Sequence, residues 1–268
     1  MTTAVAKAKE TAVSTDVLED LFDFDGEGTT YDSSELQIPF IRLLQPMSPQ
    51  LNKNKPEYIK GASVGDIFNT VSGQFWDGQE GIKVVICYQT TKYLEFRQLE
   101  MGGGFVGEIP SGSAVLQQTI RSGAKELLPN NNELVKSDQH LCLVLDDEGG
   151  FQPAIVDMKS TQLKVSKRLK TNINQMPKIR DSRDGVLKKV PLFGTVWRFF
   201  AVEESNDKGS WTNWNFEKVG LVESRDLLLE GAEFRRSVMA GEVKAAPEGQ
   251  PEGFGVSASG NGDDEIPF

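Results

Sequence analysis

One histidine and two cysteines serve all 268 residues, and that scarcity excludes most soft-metal chemistry. A structural zinc takes four N/S ligands. His140 and Cys142 make a His-x-Cys pair with only Cys87 left over, so a zinc site would need a carboxylate, and His140 reads as a structural residue. Both cysteines lie in apolar, strand-like runs and read as small buried hydrophobes of a reducing compartment. No apolar run approaches the roughly 18 residues of a membrane span. The opening MTTAVAKAKETAV lacks a secretory apolar core, which predicts a cytoplasmic protein with no membrane partner. Neither a phosphate-binding Gly-x-x-x-x-Gly-Lys loop nor a Gly-x-Ser-x-Gly elbow occurs. MGGGF (Met101–Phe105) reads as a turn. Asp146, Asp147 and Glu148 also read as a turn, although three adjacent acids keep a Mg²⁺-dependent nuclease or annealing protein open as an alternative. The expectation is a non-enzyme with no cofactor and no metal.

What is present is charge, unevenly placed. The net charge of −10 argues against a nucleic-acid partner only if it is spread evenly. Residues 1–36 hold nine acids against two lysines, and residues 241–268 six acids against one lysine, leaving residues 37–240 at +2. Within that middle, residues 151–200 hold eleven Lys/Arg against three Asp. The basic block, not the total, is the quantity that bears on partners.

The hydrophobic fraction of 38% is low for a wholly folded chain. Residues 1–35 read as an acidic, disordered arm, with TDVLEDLFDF as the one stretch that would wind into a short docking helix. Residues 36–240 read as one folded body, and residues 241–268 as a Pro/Gly/Glu linker and acidic tip. The body alternates short strand patterns with Gly and Asn: ASVGDIFNTVSG, GIKVVICYQT, KYLEFRQ, QHLCLVLD, FQPAIVDM, GTVWRFFAVEE and WNFEKVGLV, with DDEGG as a hairpin turn. STQLKVSKRLKTNINQM predicts a central helix capped by Ser160, and SRDLLLEGAEFRRSVMAG a closing one. This order predicts a mainly β fold with accessory helices, a partly open barrel of the OB type with disordered acidic termini; a β-sandwich is the alternative.

Wound at 100° per residue, the central helix puts Val165, Leu169, Ile173 and Met176 in one sector and Lys164, Lys167, Arg168 and Lys170 opposite. No acid lies between Lys159 and Arg180, and KIRDSR, with Lys178 and Arg180, and LKK extend the same sign. Aromatics flank the block: Trp76, Tyr88, Tyr93 and Phe96 before it, Trp197, Trp211 and Trp214 after it, with Trp211 and Trp214 expected on a loop. In KYLEFR, Tyr93, Glu95 and Arg97 share one strand face. A cationic groove beside aromatic platforms is the make-up of single-strand binders, since every base has a face to stack.

The chain closes SGNGDDEIPF. Asp263, Asp264, Ile266, Pro267 and Phe268 match the acidic tip of bacterial single-stranded DNA-binding proteins, with Glu265 a conservative departure. The body does not align with theirs; PFIRLLQPMSPQ, VGDIFNTVSG and MKSTQLKVSKR resemble single-stranded DNA-binding proteins of tailed phages. The resemblance implies a sequence-independent ssDNA-binding protein of replication, recombination or repair, acting in an infected bacterial host. Its tip would dock Phe268 into pockets on replication and recombination proteins. A decoy that merely occupies such pockets is the alternative, and oligomeric state is left open.

Overall fold

The computed structural model describes residues 37–207 and 209–245. The acidic arm and the DDEIPF tip lie outside them. Among the described residues, fifteen strands and two α-helices follow in order. The first strands are β1 (Gln37–Ile38), β2 (Phe40–Leu43), β3 (Ile67–Asn69), β4 (Phe75–Trp76) and β5 (Ile82–Phe96). Next come β6 (Phe105–Ile109), β7 (Ile120–Ser122), β8 (Lys125–Leu127), β9 (Glu133–Leu145) and β10 (Phe151–Lys159). Helix α1 (Leu163–Gln175) precedes the hairpin β11 (Ile179–Arg180) and β12 (Leu187–Lys188). Strands β13 (Thr195–Asn206) and β14 (Gly209–Leu221), helix α2 (Arg225–Ala240) and β15 (Lys244–Ala245) complete the body.

One sheet runs β14-β13-β5-β9-β10-β2-β3-β4 and curls strongly into a half-barrel, mainly β with few helices as the sequence predicts. Its path of eight strands exceeds the five of a minimal OB barrel. Two expected strands, GIKVVICYQT and KYLEFRQ, form the single fifteen-residue strand β5. The irregularity between Ile86 and Tyr88 bends β5 without ending it. Beyond the barrel, β5 and β9 continue into a wing with β6, β7 and β8, where Ile109, Leu128 and Leu134 form a separate core.

Both faces of the central sheet are covered. Val84, Ile86, Cys142, Val144, Ala154, Val156 and Met158 point into the trough with Trp197, Phe199 and Trp214. Val85, Cys87, Leu141, Leu143 and Ile155 point outward against Phe234 of α2. That is why KVVIC and LCLVL read as unbroken apolar runs: alternation survives only where one face meets water. Gly231 lets α2 lie close, since a Cβ there would meet Phe193 Cβ at 3.0 Å. Ser224 caps α2 by accepting from Leu227 N.

Helix α1 fills the trough. Val165 and Leu169 are buried in it, with Ile173 and Met176 packed at its margin, which matches the predicted stripe. Ser160 does not cap the helix. It begins a 3₁₀ turn (Ser160–Gln162) with φ of 48°, and the Gln162 side chain accepts from Lys159 N at 3.3 Å. The open edge β14 is closed by side chains. Gln45 donates to Thr212 O at 2.9 Å and accepts from Thr212 N at 3.1 Å, standing in for a neighbouring strand. Asn213 and Asn215 accept from the next residues' amides, Trp214 N and Phe216 N. No helix among the described residues is long and apolar enough to cross a membrane.

Under α1 lies a buried polar network. Asp138 accepts from Thr91 Oγ1 (2.7 Å) and Ser166 Oγ (2.8 Å) and pairs with Lys170 Nζ (2.7 Å). Ser166 spends its one hydrogen on Asp138, so it accepts from His140 Nε2–H (3.1 Å), and His140 Nδ1 accepts from Gln89 (2.9 Å). His140 is therefore neutral and Nε2-protonated, a structural residue as expected. Burial first, then the charge of Lys170, holds its pKa at about 4. Burial opposes the charge of Asp138, but hydrogen bonds from Lys170, Thr91 and Ser166 outweigh it and lower the pKa.

Acid should therefore loosen α1. As pH falls from 6.5 toward 4, unfolded His140 takes up a proton that the folded protein refuses, so stability declines by about 3 kcal/mol across that window. Asp138 adds to the loss only lower, below the ordinary Asp range, as pH falls through its depressed folded pKa. Urea midpoints at a series of pH values check this: His140→Gln should flatten the decline between pH 6.5 and 4.

Candidate nucleic-acid interface

The basic face of α1 is not simply solvated. Lys164 Nζ lies 2.8 Å from Glu204 Oε2, and the same carboxylate accepts from Asn213 Nδ2 at 2.9 Å. Burial raises the Glu204 pKa, but Lys164 and Asn213 more than compensate and it ends below its ordinary value. Arg168 donates to Asn215 Oδ1, and its guanidinium sits 5.0 Å over the Phe216 ring. Lys170 reaches down to Asp138. Three of the four cations read as a free face thus tie α1 across the trough to β9, β13 and β14. Lys167 alone of the four has a side chain with no hydrogen bond, ion pair or ring contact among the described residues.

The chain leaves α1 through Pro177 into the β11–β12 hairpin. The Asp-Gly pair Asp184-Gly185 makes its turn, with Gly185 at φ 71°. Asp181 pairs with Arg183 and Lys188 at 2.7 Å each, and Asp184 with Lys188 at 2.6 Å. Lys178 is exposed. Arg180 donates to Gly185 O at 2.6 Å, and Lys189 to Asn174 Oδ1 of α1 at 3.3 Å. Among the described residues, Lys167, Lys178, Arg180 and Lys189 meet no carboxylate. Helix and hairpin together gather the unpaired charge of the basic block; the sequence reading had Lys189 only within LKK and missed the hairpin that presents it. The signal was there: DSRDG between basic, apolar runs is hairpin-turn chemistry.

The aromatic platforms are largely inside. Trp197, Trp214 and Phe96 are 2%, 1% and 1% exposed, so they offer no face to a base. Trp197 packs edge-on to Phe216, and Trp214 against Phe199. Trp211 and Trp214 belong to strand β14, not to a loop. Curling the sheet turns its largest side chains into the trough, where burial stabilises them most. Trp76 is half-buried against that core, Tyr88 lies under Arg235, and Tyr93 packs on the wing core. Arg97 is exposed in the wing. Trp211 lines a 530 Å³ groove with Asp66, Asp77 and Glu203, and among the described residues no lysine or arginine shares that lining. Phosphate would be repelled there.

The other residues weighed for chemistry have structural contacts. Asp146 Oδ1 accepts from Glu148 N and Gly150 N, building the β9–β10 turn, and Asp147 pairs with Lys83. MGGGF is a turn as read, with Gly102, Gly103 and Gly104 all at positive φ. Cys87 and Cys142 face opposite sides of the sheet. Burial pushes the Cys87 thiol to about 12 and that of Cys142 strongly upward. Among the described residues no group of His, Cys, Asp and Glu is arranged to hold a metal.

A family model described as Pam3 phage gp34-like protein matches residues 8–244. No curated protein and no solved structure matches the chain.

Tethering by Arg168 makes a distinction that stability measurements can read. Arg168→Ala should cost about 1 kcal/mol through the lost hydrogen bond and ring contact, whereas Lys167→Ala should stay within about 0.5 kcal/mol. Chemical denaturation of the two variants checks the pair.

Proposed function

The chain belongs to the Pam3 phage gp34-like protein family, and on that premise we propose that it is a sequence-independent single-stranded DNA-binding protein. It coats strands during phage replication or recombination and recruits partner proteins through Asp263–Phe268. One observation carries the reading. In a chain of net charge −10, the segment 163–190 displays Lys167, Lys178, Arg180 and Lys189 on adjoining elements without a carboxylate partner among the described residues. Like charges are held together at a cost that an anionic ligand offsets. The half-barrel and the DDEIPF ending support the same reading. Because Trp197 and Trp214 are buried, binding is led by phosphate contacts, not by tryptophan stacking.

Fluorescently labelled oligo(dT) tests the proposal. Affinity should fall with salt at a log–log slope of about 3, from four contacts at about 0.7 each. Deleting Asp263–Phe268 should preserve or raise that affinity, since it removes acids that compete with phosphate. The same deletion should abolish capture of replication and recombination proteins, with Phe268→Ala doing most of the damage as the buried anchor. Absence of oligo(dT) binding with partner capture retained would replace the proposal by a decoy.

A further inference from the structure

We infer that the β11–β12 hairpin is a two-faced clamp whose one cationic face, with the outer side of α1, holds a single strand. This rests on the proposed nucleic-acid reading and says where the strand runs. The hairpin is unusual in what it leaves uncovered. Ile179, Val186 and Leu187 are 45%, 53% and 52% exposed, on a ladder of only two residue pairs. So short a hairpin gains little from its own burial.

Register sorts its side chains. Ile179 pairs with Lys188, and Arg180 with Leu187, and directly opposed residues share a face. Alternation then places Asp181 and Val186 with Ile179 and Lys188, and Lys178 and Lys189 with Arg180 and Leu187. On the first face Lys188 is neutralised by Asp181 and Asp184. On the second, three cations surround one leucine and no acid is present. Lys189 bonds Asn174 of α1, which turns this second face toward the helix and its exposed Lys167. Cations on both elements, Lys167 on the helix and Lys178, Arg180 and Lys189 on the hairpin, with an exposed leucine among them, fit a strand with its phosphates on the cations and a splayed base on Leu187. A paired duplex keeps its base faces stacked and gives Leu187 nothing to cover.

Two charge-matched variants separate the faces. Leu187→Ser/Lys189→Gln alters the cationic face, and Ile179→Ser/Lys188→Gln the neutralised face; each removes one apolar and one basic side chain. All four side chains project from an exposed hairpin, and matched thermal melting confirms that the body is intact. In anisotropy titrations of the full chain with oligo(dT), the first variant should bind about tenfold more weakly, from lost phosphate and base contacts. The second should bind as wild type does. Equal weakening of both variants, or of neither, overturns the two-faced clamp while leaving the proposed function standing. Duplex bound as tightly as oligo(dT) overturns the single-strand occupant. Wild-type protein that binds no oligo(dT) overturns the proposed function itself.

Discussion

Curling a sheet without closing it leaves an apolar trough that must be covered, and here α1 is the cover. Its apolar stripe alone would let it slide along the trough. Asp138 prevents that, gathering Thr91 of β5 and Ser166 and Lys170 of α1 around one carboxylate that β9 supplies. Such a group is costly to bury and more costly to leave half-paired, so the network specifies one seating for the helix. Lys164 and Arg168 then fasten the outer side of the helix to β13 and β14. The β11–β12 hairpin, which follows Gln175, is tied to that seating through Lys189 and Asn174.

The same constraint divides the charge. Cations on α1 that reach neighbouring strands are consumed in holding the helix. Lys167, with the hairpin's Lys178, Arg180 and Lys189, remains for something else. Meanwhile the groove beside Trp211 gathers carboxylates, so among the described residues a carboxylate-lined groove stands apart from the cationic hairpin. A polyanion that tracks the first and avoids the second accounts for the pattern with fewer assumptions than an aromatic platform would. The β1–β15 pairing joins residues 37–38 to 244–245, which sets the two acidic ends of the chain off from a common place on the body.

Local periodicity made much of this legible. Residues 160–176 carry a stripe that only a helix satisfies, and DDEGG between two apolar runs is a turn by its own chemistry. What could not be read was pairing across long separations. Glu204 lies forty residues from Lys164, and Asp138 precedes Lys170 by thirty-two, so a stretch with no acid of its own looked uncompensated. Trp211 and Trp214 misled for a related reason. A tryptophan near Gly, Ser and Asn resembles a loop residue until the curl of the sheet decides which way it points. The short β11–β12 ladder carries too little apolar pattern to register as strands at all.

Hydrogen–deuterium exchange of the full chain with and without oligo(dT) tests the central claim most directly, because it asks where the strand lies without altering any residue. The account predicts slowed exchange across residues 163–190, concentrated in the β11–β12 hairpin and the exposed side of α1, with the groove at Asp66, Asp77 and Trp211 unchanged. Protection centred on that acidic groove, or on the wing and not the hairpin, would contradict it.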